Sequence, residues 1–122
     1  MTKEEALYKF FSGFGMDAYP SSVIPDEKEV EFPYISYENA IGFAGDPTIF
    51  VTAQIWFRTE SEAVPNAVVS RISEYIGRGG VIVPYDEGTI WIKRGTPWCN
   101  SLADDGDPSI KRRILNLEID FM

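Results

Sequence analysis

Residues 49 to 58, Ile-Phe-Val-Thr-Ala-Gln-Ile-Trp-Phe-Arg, alternate without a break. Val51, Ala53, Ile55 and Phe57 fall on one side, and Phe50, Thr52, Gln54, Trp56 and Arg58 on the other. Period two marks a strand with one buried face, because successive side chains of a strand point to opposite faces of its sheet. Arg113 to Phe121 repeats the pattern, with Leu115, Leu117, Ile119 and Phe121 inward and Asn116, Glu118 and Asp120 outward. The chain must therefore build a sheet and find something to cover its apolar face.

Two segments have the helical period instead. Residues 3 to 12 put Ala6, Leu7, Phe10 and Phe11 on one stripe, with Thr2 as N-cap and Glu4-Glu5 in the first turn, where the helix dipole favours carboxylates. Val64, Val68, Ile72 and Ile76, widened by Ala67 and Tyr75, predict a second core-facing helix of about four turns. Thr59 and Glu62 have capping-box spacing before it, Pro65 is best tolerated if it starts at Ser61 or later, and Gly77 or Gly79 closes it.

The remaining elements are shorter. Phe32 to Tyr37 predicts a strand with Pro33 at its start or on an edge, and Asn39 to Thr48 a turn region. Val81–Val83 and Thr89–Arg94 flank Pro84-Tyr85-Asp86-Glu87-Gly88, which suits a hairpin. Tyr19 to Glu31 predicts an extended surface connection, and Gly95 to Asp107 a long polar loop. The expected fold class is α+β: a mostly antiparallel sheet of about five strands packed by two helices, in the order α-β-β-α-β-β-β. The 122 residues make one domain, 1–122, large enough to fold on a single core.

Composition limits the chemistry. There is no histidine, which removes the commonest general base, the Ser-His nucleophile pair and the usual zinc ligand. Cys99 is the only cysteine, so Cys-His metal sites and intrachain disulfides are excluded, and it reads as a partly buried thiol. An adjacent carboxylate pair such as Asp86-Glu87 is poorly placed for acid-base catalysis, so the expectation is a protein that is not an enzyme and carries no cofactor. Asp104-Asp105-Gly106-Asp107 could hold a hard cation, but it lacks EF-hand spacing, and turn chemistry alone selects Asp and Gly. Gly77-Arg78-Gly79-Gly80 follows a helix rather than opening one, so it reads as a helix cap and tight turn, not a phosphate loop.

No run approaches the roughly 20 apolar residues of a membrane span, and the N-terminus lacks the apolar core of a signal peptide, so a cytosolic or particle-associated protein without membrane contact is expected. The net charge of −8 disfavours specific nucleic-acid binding. The charge is uneven: residues 1 to 62 hold 4 basic and 11 acidic side chains, residues 63 to 122 hold 7 and 8. Lys111, Arg112 and Arg113, beside Lys93 and Arg94, predict a basic strip that meets the acidic half of another subunit; the alternative, with Trp91 or Trp98 nearby, is an aromatic and basic nucleic-acid footprint. Trp56 and Phe50, opposite the apolar stripe of their strand, and Trp98 in the polar loop are candidate interface anchors. The alternative for Trp56 and Phe50 is burial beneath the N-terminal helix.

The order of elements and four strings together resemble the tail terminator and head-tail joining proteins of long-tailed bacteriophages and prophages. The strings are Phe32-Pro33-Tyr34-Ile35-Ser36-Tyr37, Ser61-Glu62-Ala63, Ile92-Lys93-Arg94-Gly95-Thr96-Pro97-Trp98 and Lys111-Arg112-Arg113-Ile114-Leu115-Asn116-Leu117-Glu118-Ile119-Asp120-Phe121. The resemblance implies a central sheet with flanking helices and a ring, commonly of six subunits, that caps the tail tube and meets the head connector. Its implied partners are further copies of the chain, the major tail tube protein and head connector proteins, and its implied location is the virion head-tail junction, with assembly in the host cytoplasm. It carries over no catalytic residue. A head completion protein of the same junction, or a ligand- or metal-responsive module using loop 95–110, are the alternatives.

Overall fold

The computed structural model describes residues 1–26, 29–38, 48–103 and 109–121. The elements run α1 (Lys3–Ser12), β1 (Asp17–Pro20), a short 3-10 turn (Ser21–Val23), β2 (Tyr34–Tyr37), β3 (Thr48–Arg58), α2 (Ala63–Ile76), β4 (Val81–Tyr85), β5 (Gly88–Ala103) and β6 (Ile110–Phe121). The strands form one sheet in the order β1-β2-β3-β6-β5-β4. Only β1 and β2 run parallel. The fold is α+β, as the two periodicities predict.

Alternation decides which face is covered. Val51, Ala53, Ile55 and Phe57 of β3 are buried, as are Leu115, Leu117 and Ile119 of β6 and Ile90 and Ile92 of β5. Both helices supply the cover, Ala6, Leu7, Phe10 and Phe11 from α1 and Val68, Ile72 and Ile76 from α2. Each fully buried Leu, Ile or Phe contributes roughly 1.5–3 kcal/mol, so these side chains fix the strand register as well as the fold.

α1 starts where the sequence places it. Thr2 and Glu5 form a reciprocal capping box, with the Glu5 amide donating to Thr2 Oγ1 at 3.1 Å and the Thr2 amide donating to Glu5 Oε1 at 3.3 Å. The helix lies against β1 and β2 at one edge of the sheet and against β4 at the other, so the sheet curls around it. Phe11 stacks on Tyr37 of β2 at 4.5 Å, and the Asp86 amide in the β4–β5 turn donates to the Met1 carbonyl at 2.8 Å. α2 covers β5 and β6.

Several expectations are corrected. Asp17–Pro20 is a sixth strand overlapping the stretch read as a surface connection, and the parallel pairing to β2 that orders it leaves no local period. The loop expected from Gly95 is strand as far as Ala103. β5 continues through a register irregularity between Arg94 and Cys99, which breaks the alternation. β6 begins at Ile110, so Lys111, Arg112 and Arg113 lie within a strand. In α2, a start at Ala63 sets a phase that buries Pro65, Val68, Ile72 and Ile76 and leaves Val64 51% and Tyr75 61% exposed. The Thr59–Glu62 capping box does not form: Thr59 Oγ1 accepts from the Ser61 amide, Ser61 Oγ accepts from the Ala63 amide, and Glu62 makes no side-chain cap. The Asn39–Thr48 turn, up to residue 47, and the Asp104–Asp107 cluster lie outside the described residues.

Candidate assembly surfaces

The sheet face turned away from the helices carries Trp56 and Phe50, so the alternative of burial beneath α1 is excluded. The register puts Tyr34 opposite Trp56 and Trp56 opposite Arg112, which builds a ladder across three strands. Tyr34 and Trp56 stack with centroids 5.9 Å apart and planes 6° apart, and the Arg112 guanidinium lies 4.8 Å from the Trp56 ring centroid. Trp56 Nε1 donates to Ser36 Oγ at 3.1 Å, and Arg112 donates to Gln54 Oε1 at 3.3 Å. Tyr19 extends the ladder to β1, edge-on to Tyr34 at 6.0 Å. Trp56 is thereby half-buried by its own chain. Phe50, six residues along β3, is 75% exposed.

The basic strip separates because strand side chains alternate. Arg113 points inward and is 3% exposed. It donates to Glu62 Oε2 at 2.5 Å and to Asn66 Oδ1 at 3.2 Å, both at the start of α2. Lys111, on the same side, reaches Glu62 Oε1 at 3.7 Å. The hydrogen bond from Arg113, with Lys111 adding to it, holds the Glu62 carboxyl below its ordinary value. Arg112 alone faces the other way. Two members of the predicted strip are thus committed to an acid of their own chain and the third to Trp56. Lys93 pairs with Asp120 at 2.7 Å and Glu118 at 3.4 Å, opposite the far end of β6, so Lys93 and Arg94 do not join Lys111–Arg113 in one strip.

Trp98 stands on β5, half-buried against the core cluster, not in a polar loop. Its indole N–H is buried without a partner among the described residues. It forms one wall of a hollow of about 350 Å³ bounded also by Arg78, Lys93, Arg94, Thr96 and Glu118. Gly95 lines this hollow, and Gly80 lies close against Ile92 and Lys93. Gly80 has φ +81°, and a Cβ there would lie 2.7 Å from the Ile92 carbonyl oxygen. A Cβ on Gly95 would lie 2.8 Å from the Asn116 carbonyl oxygen, so only glycine lets β5 pass this close to β6.

Arg94 donates to Ser73 Oγ at 2.7 Å, and neither Arg94 nor Arg78 has a carboxylate within ion-pair distance among the described residues. Sequence reading placed Arg78 in a tight turn and Arg94 in a strip. Its signal for their shared position was only the glycine run beside Arg78.

Cys99 is half-buried, and burial raises its thiol above the ordinary value while Arg113 offsets part of the rise. Asp86 is engaged by the Met1 ammonium group. Among the described residues no cluster of three or more Cys, Asp or Glu could hold a metal ion, and no helix is long and apolar enough to cross a membrane. The organised features among the described residues are therefore surfaces: an aromatic sheet face ending in Phe50, and a cation-lined hollow at β5. No family model, curated protein or solved structure matches the chain.

Proposed function

We propose that this chain is a non-catalytic structural protein of the head-tail junction of a long-tailed phage or prophage virion, where copies of it form a ring that caps the tail tube and meets the head connector. The reading starts from the strings that resemble the tail terminator and head-tail joining proteins. The structural observation that carries it is Phe50, a large apolar side chain 75% exposed on a sheet face that neither helix covers. An exposed aromatic beside a polar, hydrogen-bonded ladder has the makeup of a protein interface, with an apolar anchor and a wet surround. The acidic balance of the chain fits a ring lining through which DNA slides without adhering.

Native mass spectrometry of the chain alone and mixed with tail tube subunits tests the role. Ring formation on tube addition is expected, with the virion junction as its site. A chain that stays monomeric in the presence of tube, and whose melting temperature rises with calcium, would overturn the reading in favour of a metal-responsive module.

A further inference from the structure

Two cations away from the β6 strip, Arg78 and Arg94, have no carboxylate within ion-pair distance among the described residues. Arg78 is exposed in the turn after α2, and Arg94 donates a hydrogen bond to Ser73. Both border the Trp98 hollow, together with Lys93, and the carboxylates near Lys93 are already taken up by it. The hollow also adjoins the part of β5 where the sheet is open. β4 pairs with β5 only as far as Ile92, and among the described residues no strand flanks β5 beyond that point on the side away from β6.

Exposed carboxylates without an ion pair among the described residues include Glu4, Glu60, Glu74 and Glu87, and four more lie together at and after the start of β1. Asp17, at the start of β1, and Asp26, Glu29 and Glu31, in the segment before β2, are all exposed, and none lies within ion-pair distance of a cation among the described residues. The Tyr19 hydroxyl is held above its ordinary value first by desolvation and then by the charges of Asp17 and Glu31.

The register sets the two groups apart. Asp17 is level with Tyr34, and through it with Trp56; Lys93 is level with Glu118, and through it with Phe50. Trp56 and Phe50 are six residues apart on one strand, about 20 Å at the usual rise. β1 and β5 are also four strands apart in the sheet order. Two complementary patches at different places on one subunit suit head-to-tail pairing. Such contacts close into a ring or run on as a filament.

We infer that the hollow bounded by Arg78, Arg94 and Trp98 receives the carboxylates of Asp26, Glu29 and Glu31 of a second copy of this chain, and that this heterologous contact links successive subunits. The inference deepens the ring proposed above and rests on it. The guanidinium groups supply forked donors suited to carboxylates, and the open edge of β5 offers further main-chain donors and acceptors. Every subunit gives one acidic segment and receives another.

Two variants test the contact. Arg78→Glu puts a carboxylate in the hollow where the segment's carboxylates arrive, and Glu29→Arg with Glu31→Arg reverses the segment. All three positions are exposed and make no ion pair among the described residues, so both proteins should melt with the parent. Each variant alone should assemble at least about tenfold more weakly than the parent, because like charges then meet at every contact. An equimolar mixture of the two should recover assembly, since alternating subunits present an original pair at one contact and a swapped pair at the next. Native mass spectrometry of the mixture would show rings holding both variants. If Arg78→Glu assembles as well as the parent, or the mixture no better than either variant, the contact is wrong while the ring reading stands. If the parent itself remains monomeric with tail tube subunits present, both fall.

Discussion

Glu62 and Arg113 meet at 2.5 Å, joining the residue that precedes α2 to the inward face of β6. The guanidinium is buried and the carboxylate is 64% exposed, so the pair sits at the rim of the core, with its cation inside. Arg113 therefore holds α2 against the sheet through Glu62 and Asn66, and its stem continues the apolar row of Leu115, Leu117 and Ile119. Arg113→Ala should destabilise the fold by about 2–4 kcal/mol through lost hydrogen bonds and lost packing. Urea denaturation measures this, and a change below about 0.5 kcal/mol would mean the residue is not structural.

Acid should find the same contact. The carboxyls of Glu62 and Asp120 are both held below their ordinary values of 4.5 and 3.8, Glu62 chiefly by its bond from Arg113 and Asp120 chiefly by its bond from Lys93. A carboxyl lowered on folding adds stability that is complete above its unfolded value and is lost as pH falls through the folded one. Melting temperature should thus decline as pH drops below the ordinary carboxyl range. Glu62→Gln and Asp120→Asn should each make that decline shallower, and parallel curves for parent and variants would exclude these groups as its cause. Lys93 works at the other end of the scale. Its ammonium is held above 10.5 by its bond to Asp120, so its share is present below that value and is lost as pH rises through the folded one.

The legible parts of this fold were those written in a local period. α1, β3 and most of β6 were read from side chains two or three to four positions apart, and their buried residues agree with that reading. β1 escaped because its four residues are ordered by β2, seventeen positions on, and β5 beyond Gly95 because its bulge interrupts the alternation. The candidate surfaces divide in the same way. That Trp56 and Phe50 face away from the apolar stripe follows from parity alone. That Arg113 is spent on Glu62 while Arg78 and Arg94 have no carboxylate within ion-pair distance among the described residues depends on which element lies across from each, which no local pattern records.

The closeness of β5 to β6 makes Gly95 sensitive. Gly95→Ala would press a methyl group against the Asn116 carbonyl and force the strands apart, at a cost of about 1–3 kcal/mol. Gly79→Ala is the matched control, because a Cβ there meets nothing within 4 Å. Thermal melts should separate the two variants clearly. Equal melting temperatures would show that the strand approach at Gly95 is not a constraint.

Trp98 and Phe50 should answer differently to truncation, though sequence alone set them together as interface anchors. Trp98 packs on the core, so Trp98→Ala should lower stability by about 2–4 kcal/mol before any effect on assembly is read. Phe50 projects from a bare face, so Phe50→Ser should leave stability within about 0.5 kcal/mol of the parent. If the proposed ring or its seat on the tail tube uses that face, the same substitution should weaken assembly on tube by at least about tenfold, as loss of a central aromatic anchor does. Denaturation and native mass spectrometry on the same samples read the two effects separately. A Phe50→Ser protein that is as stable as the parent and assembles equally well would remove the outer sheet face from the interface, and with it the observation on which the structural role most depends.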